Sequence, residues 1–183
     1  MHEGLTDAEV IESVLAGDID RFGLLVDRYQ DEFARYAKYM TGSEDEAADV
    51  IQESLVRAYR SLRQCGDRAN FKGWLFRIVS NQCKTHLAKR RRRRLEPLSD
   101  EATQVPSPAD PEAETEGADV RWRVHQALQQ LPTDQREALV LKYVEGLSLP
   151  EMAQALSASV SALKMRLLRG RRELLAKLEG VVP

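Results

Sequence analysis

Six cations crowd one stretch near the end of the chain, Lys164, Arg166, Arg169, Arg171, Arg172 and Lys177, against a single acid, Glu173. A second run, Arg90–Arg94, is five consecutive arginines. Groups at this density suit phosphates: the arginine fork matches phosphate oxygens, and each contact releases condensed counterions. The chemistry on offer is polyanion binding, most simply nucleic acid. Catalytic chemistry is harder to find. No G-x-x-x-x-G-K-[ST], G-x-G-x-x-G or G-x-S-x-G pattern occurs. His2, His86 and His125 are far apart in sequence. Cys83 and His86 share one prospective helix face, but two ligands without nearby partners make a poor zinc site. Paired carboxylates fall on polar helix faces with no implied cleft. No metal and no cofactor is expected, and an enzyme is a weak reading.

The net charge of −2 over 183 residues conceals a strong asymmetry. Residues 1–53 hold 14 acids and 4 bases, and residues 54–94 hold 13 bases and only Asp67 as an acid. Residues 95–119 hold 8 acids and no base, and residues 120–183 hold 10 bases and 6 acids. Two basic blocks are thus separated by an acidic stretch. A solvated helix face is the bland alternative for most charge runs, but Arg90–Arg94 is too dense for it. The 43% hydrophobic content is enough for a core, and no window reaches the ~20 apolar residues of a membrane span. Residues 1–13 are acidic and read as no secretory signal. Cys65 and Cys83 cannot build a disulfide scaffold, so the expected address is the reducing cytoplasm.

The elements that must position these groups are helices. Apolar residues recur with helical period, and no strand alternation or hairpin signal is found. Thr6-x-x-Glu9 opens a helix at about 7–16. A second, at about 18–41, carries Phe22, Leu25, Val26, Tyr29, Phe33, Tyr36 and Tyr39 or Met40 along one stripe and ends at Gly42. Ser43-x-x-Glu46 opens a third at about 44–64, and Asn70 can cap a fourth at about 71–93 with Trp74, Leu75, Ile78 and Val79 inside. Residues 95–117 contain four prolines and few apolar residues, the composition of a linker. Helices at about 119–130 and 133–145 follow. Ser148-x-x-Glu151 then caps a short helix at about 149–156, and Ser159 caps a long one at about 160–178. A short helix, a tight turn and a longer basic helix make a helix-turn-helix, closed by Leu149, Met152, Ala153, Leu156, Val160, Leu163 and Leu167. Small residues at the start of the long helix, Ser159, Ser161 and Ala162, permit close approach to base edges.

These segments resemble a known family. Residues Asp49–Tyr59 (DVIQESLVRAY) are similar to a region 2 helix of bacterial sigma factors of the extracytoplasmic-function (ECF) group. Residues Asn70–Asn81 (NFKGWLFRIVSN) are similar to the segment that follows it. Leu131–Pro132, Gln135–Leu139, Gly146–Leu156 and Ser159–Leu168 resemble region 4. The motifs occur in the family's order over roughly 20–93 and 119–178.

The resemblance implies an all-α chain of two small domains: a four-helix region 2 bundle at 1–94 and a region 4 helix-turn-helix at 119–183, joined by the acidic, Pro-rich linker 95–118. It implies a sigma factor that directs core RNA polymerase to promoter DNA. Asp49, Gln52, Glu53 and Val56, one stripe at helical spacing, would dock on the polymerase clamp. Arg68, Asn70, Phe71, Lys72, Arg77, Asn81 and Lys84 would hold the opened −10 strand, with base capture in the loop and phosphates along the helix. The i, i+3 pair of Phe71 and Trp74 also fits core packing. Ser159, Ser161, Ala162, Lys164, Met165, Arg166, Arg169 and Arg171 would read the −35 duplex, with Arg172 on phosphates. Thr85 and Ala88 stand where many relatives carry Asp and Arg, and Met165 stands where the common pattern has a small polar residue. An anti-sigma protein commonly restrains relatives. The rival reading is a stand-alone helix-turn-helix regulator, which requires a dimer and a palindromic site.

Overall fold

The computed structural model describes residues 4–95 and 118–179, and every regular element among them is helical. The helices are α1 (Asp7–Leu15), α2 (Phe22–Thr41), α3 (Glu44–Arg60), α4 (Phe71–Leu95), α5 (Ala118–Gln129), α6 (Thr133–Leu139), α7 (Leu149–Leu156) and α8 (Val160–Glu179). The expected linker lies almost wholly outside the described residues.

Local chemistry sets most of the boundaries. Thr6 Oγ1 accepts from the Glu9 amide while the Glu9 carboxylate takes the Thr6 amide at 2.7 Å, a reciprocal capping box. Ser148 and Glu151 repeat it at the start of α7. Ser43 accepts from the Glu46 amide at 3.4 Å and Ser159 from the Ala162 amide at 3.1 Å. Each cap satisfies donors that a helix start leaves without intrahelical partners. At the other end of α2, Gly42 takes φ 85°, the left-handed stop that glycine allows. A side chain there would also strike Gln129, whose Cδ lies 2.7 Å from where a Cβ would sit.

Three boundaries depart from the sequence expectation. Ile19–Arg21 forms a separate 3-10 turn, so α2 opens at Phe22 rather than near 18. Helix α3 ends at Arg60, and Leu62–Gln64 turns as another 3-10 segment. The helix expected at 133–145 widens into a π-helix over Val140–Val144, closed by the Glu145 amide on the Val140 carbonyl at 3.0 Å. The wider turn keeps Leu141 fully buried while Tyr143 stands 60% exposed.

Helices α2, α3 and α4 form a bundle with α1 laid against it. Its interior is Leu25, Phe33, Tyr36, Met40, Val50, Ala58, Leu75, Phe76 and Val79. Phe76 meets Tyr36 edge-on at 4.9 Å and Phe33 at 6.0 Å. Each such side chain contributes roughly 1.5–3 kcal/mol on burial. In the second part α7 and α8 make the helix-turn-helix, with Met152 and Leu163 fully buried between them. Val160, expected inside, is 37% exposed because it opens α8 at its solvent end. The turn carries Ser157 at φ 50°. Helix α8 crosses α6 closely at Gly170, where a Cβ would lie 3.2 Å from Leu139 Cδ1 and 3.3 Å from the Gln135 carbonyl oxygen.

His125 of α5 packs against Tyr39 with ring centroids 5.8 Å apart. Burial, opposed by a hydrogen bond to the Lys38 backbone and reinforced by the charges of Lys38 and Arg136, holds its imidazole below the usual 6.5. In the window just below 6.5 the unfolded chain therefore takes up a proton that the folded chain refuses. Stability falls as pH drops through that window and is regained above it. Urea unfolding at about pH 7.5 and 5.5 is expected to show this loss, and His125→Gln to flatten it. An unchanged slope in the variant would mean that other groups carry it.

Candidate nucleic-acid interface

Helix α3 buries Ala47, Val50, Ile51, Ser54 and Ala58. Its opposite side presents Asp49, Gln52 and Glu53 to solvent, with Val56 45% exposed beside them. The expected stripe therefore lies on one open face. Glu53 accepts from Gln82 Nε2 at 3.0 Å, and Gln82 Oε1 takes Arg57 Nη1 at 3.0 Å. Tyr59, which the spacing argument left out, lies 38% exposed further along this helix, with its ring edge-on to Phe22 at 5.3 Å. An exposed apolar residue within a charged face was the available signal.

The segment after α3 distributes its cations differently. Arg68 pairs with Glu12 at 3.1 Å and Lys72 with Glu32 at 2.8 Å. The Asn70 side chain lies over Gly73, whose missing Cβ would come within 2.6 Å of Asn70 Oδ1. Asn81 is exposed, and its carbonyl accepts from Thr85 Oγ1 at 2.8 Å. Phe71 is a correction. It is fully buried, 5.9 Å from the Tyr29 ring and 5.7 Å from that of Trp74, so it cannot meet a base in this arrangement. The i, i+3 aromatic spacing was a core signal. Cys83 is buried too, and desolvation, then the charge of Glu137, push its thiol up to about 12. His86 faces Glu46 at 3.1 Å. Among the described residues no group of three or more His, Cys, Asp or Glu is placed to hold a metal.

Helix α8 holds its apolar side, Leu163, Leu167, Gly170 and Leu174, against α6 and α7. Ser161, Lys164, Arg169, Arg171 and Arg172 are exposed, and Met165 is 47% exposed. Ser159 is exposed and engaged in the cap, while Ala162 is half-buried. Arg166 is half-buried and approaches Asp134 at 3.6 Å. A helix of this size enters the major groove with its N-terminal half, where short side chains come close and long cations reach phosphates.

The two halves are in contact. Arg77 Nη2 donates to the Gln154 carbonyl at 3.0 Å, and Arg35 grips the Glu145 carboxylate at 2.8 and 3.2 Å. Arg136, on α6, sends its guanidinium to the Met40 carbonyl of α2. Beside it, Glu137 meets Tyr36, Ser80 and Lys84. In the sequence both residues stand only within the Gln135–Leu139 motif, and nothing there marks either as a contact between the halves.

Among the described residues every regular element is helical, with a helix-turn-helix in one half and an acidic face beside a basic helix in the other, the arrangement of a DNA-binding transcription protein. Residues 25–93 match the model of Sigma-70 region 2, and residues 121–174 that of Sigma-70, region 4. Over the full length of both chains it is 32% identical to the ECF RNA polymerase sigma-E factor of Haemophilus influenzae. It is 34% identical to the RNA polymerase sigma-H factor of Pseudomonas aeruginosa over 90% of each. Among solved structures it resembles CnrH in its complex with the cytosolic domain of CnrY, with a TM-score of 0.68 and 27% identity over 96% of this chain and 99% of that one. The protein belongs to the ECF sigma factors of RNA polymerase.

Proposed function

We propose that this chain is a dissociable specificity subunit of RNA polymerase working in the cytoplasm, with two functional halves, 1–94 and 119–183, joined through 95–118. The face of Asp49, Gln52, Glu53 and Val56 docks on the polymerase clamp. Arg68, Asn70, Lys72, Arg77, Asn81 and Lys84 hold the opened −10 strand, with Phe71 serving the core beneath them. Helix α8 reads the −35 duplex through Ser161, Ala162, Lys164, Met165 and Arg166, while Arg169, Arg171 and Arg172 hold phosphates. Phosphoryl chemistry belongs to the polymerase, and this chain is no catalyst. An anti-sigma protein is a further partner; the similarly folded sigma factor RpoE of Bartonella quintana was solved in complex with the anti-sigma factor NepR.

The observation that carries this reading is the division of α8, with one packed apolar side and an outward side that carries Ser161, Lys164, Arg169, Arg171 and Arg172 among the exposed apolar residues Met165, Leu168 and Leu175. Among the described residues no helix is long and apolar enough to cross a membrane. The test is run-off transcription from genomic promoter fragments with core polymerase, with and without the chain. Specific new transcripts are the expected result, and alignment of their starts gives the −35 and −10 sequences. Arg169→Ala and Arg171→Ala should weaken all these promoters alike and lower the salt slope by about 0.9 per lost phosphate contact. Lys164→Ala and Arg166→Ala should alter base preference as well. No transcripts and no co-elution with core would instead favour the stand-alone regulator.

A further inference from the structure

Glycine is a poor residue inside a helix, because it loses more backbone freedom on folding than alanine does. Gly73 nevertheless stands third in α4, after Phe71 and Lys72. Asn70, the last residue before the helix, lays its side-chain amide over Gly73. A Cβ there would fall 2.6 Å from Asn70 Oδ1 and 3.1 Å from both Cγ and Nδ2. The amide thus fills the place that a side chain at 73 would need.

The caps of the other helices behave differently. Thr6, Ser43, Ser148 and Ser159 each spend their oxygen on the backbone amide of the third helical residue, Glu9, Glu46, Glu151 or Ala162. Among the described residues no such bond runs from Gly73 to Asn70, whose hydrogen bond is that of its backbone N–H on the Asp67 carbonyl at 3.1 Å. The Asn70 side chain is therefore not spent on the cap. It is half-buried, and its two N–H donors and its carbonyl acceptor remain for a group outside the chain. The segment around it is held on both sides. Phe71 is buried beside it, Arg68 is paired with Glu12, and Lys72 is paired with Glu32.

We infer that Gly73 is a positioning residue for −10 reading: the absent side chain makes the slot that keeps the Asn70 amide in the orientation that meets a base edge. The inference rests on the proposed assignment of Asn70 to the opened strand. An amide offers donors on one arm and an acceptor on the other, so it distinguishes bases only when its orientation is fixed. A Cβ at 73 turns it aside. What yields is the end of a flexible side chain, so the helix is not strained and gains the better propensity of alanine. Gly170 is the contrast, because a Cβ there meets the Gln135 carbonyl oxygen, which cannot swing away.

The test compares Gly73→Ala, Asn70→Ala, their double variant and Gly23→Ala, each assembled with core polymerase. Gly23 is also helical, in α2, and has open space where a Cβ would stand. Both glycine variants should melt at or above the parent temperature. The probe is a promoter recovered by run-off, resynthesised with each −10 base replaced in turn. Gly73→Ala should lower transcription from the unaltered promoter about tenfold, the scale of one lost base contact, and flatten the preference at one −10 position. Asn70→Ala should flatten the same position, and the double variant should be no worse than Asn70→Ala alone. Gly23→Ala should transcribe like the parent. A Gly73→Ala chain with parent activity and preference, beside a flattened Asn70→Ala, would overturn the role of Gly73 and leave Asn70 in place. An Asn70→Ala chain with unchanged −10 preference would remove Asn70 from the strand, and the positioning role with it. A Gly73→Ala loss equal at every −10 sequence, or one that adds to that of Asn70→Ala, would mean that Gly73 serves the backbone and not the amide.

Discussion

Exchanging Asp49 and Glu53 for lysine is expected to weaken binding to core polymerase by about 100-fold or more while leaving the fold intact, because close interfacial charge pairs are each worth upward of about 1.5 kcal/mol. Both carboxylates are exposed on α3, away from its buried side. Among the described residues the contact at risk is the hydrogen bond that Glu53 accepts from Gln82, on the surface and worth little there. If the proposed partner surface is basic, reversing both charges removes two attractions and adds two repulsions. The same exchange spares α8, so on the proposed assignment −35 reading stays available and the defect is one of assembly. Titration of a fluorescent chain with core, beside a thermal melt of the chain alone, separates the two effects. The loss should shrink at high salt, because exposed charges are screened beyond the Debye length, ~10 Å at 0.1 M. An affinity unchanged by the double exchange would remove the clamp assignment. A lowered melting temperature would mean that the face also supports the bundle.

How far such surfaces are legible from sequence depends on how local their cause is. The caps at Thr6, Ser43, Ser148 and Ser159 require only residues three apart, and all four form. The outward stripe of α3 follows from helical period and the apolar stripe opposite, so Asp49, Gln52 and Glu53 share an open face as expected. The breaks were less visible. The 3-10 turn at Ile19–Arg21 and the π-turn at Val140–Val144 adjust helices to neighbours, and period alone does not record neighbours. Phe71 was drawn two ways, toward bases by its place in the motif and inward by its spacing to Trp74, and packing decided it. The contact between the halves was not legible at all. Glu137 reads as one more acid on an amphipathic helix, while its partners Tyr36 and Ser80 lie 101 and 57 residues away. Burial of a carboxylate is a property of the surface facing it.

Arg136, the residue before that acid, should be the most damaging single position to lose, with Arg136→Ala costing about 3–5 kcal/mol, because it strips the donor from several buried acceptors at once. The residue is 4% exposed. Its Nη1 donates to the Met40 carbonyl and to Gln129 Oε1 at 2.6 Å, and its Nη2 to the Gln129 carbonyl at 2.7 Å and that of Leu131 at 3.3 Å. Burial, and after it the charge of Arg90, push the guanidinium down to about 10, which leaves it cationic at neutral pH. The end of α2 explains why a cation is tolerated there. Tyr39, Met40 and Thr41 expose carbonyls that the helix leaves unmatched, and they receive Gln129, Arg136 and Arg90 in turn. The negative end of the helix dipole points at both guanidiniums, offsetting part of their desolvation. Arg136→Lys should recover less than half of the loss, since one ammonium cannot fork across carbonyls on two helices. Urea unfolding of the two variants measures this directly, and for a chain of this size the alanine variant should melt roughly 10 °C lower or more. A lysine variant as stable as the parent would mean that charge at the helix end, rather than the fork, holds the joint. An alanine variant as stable as the parent would mean that water satisfies these carbonyls unaided, and Arg136 would lose its place as the strut between α2 and α6.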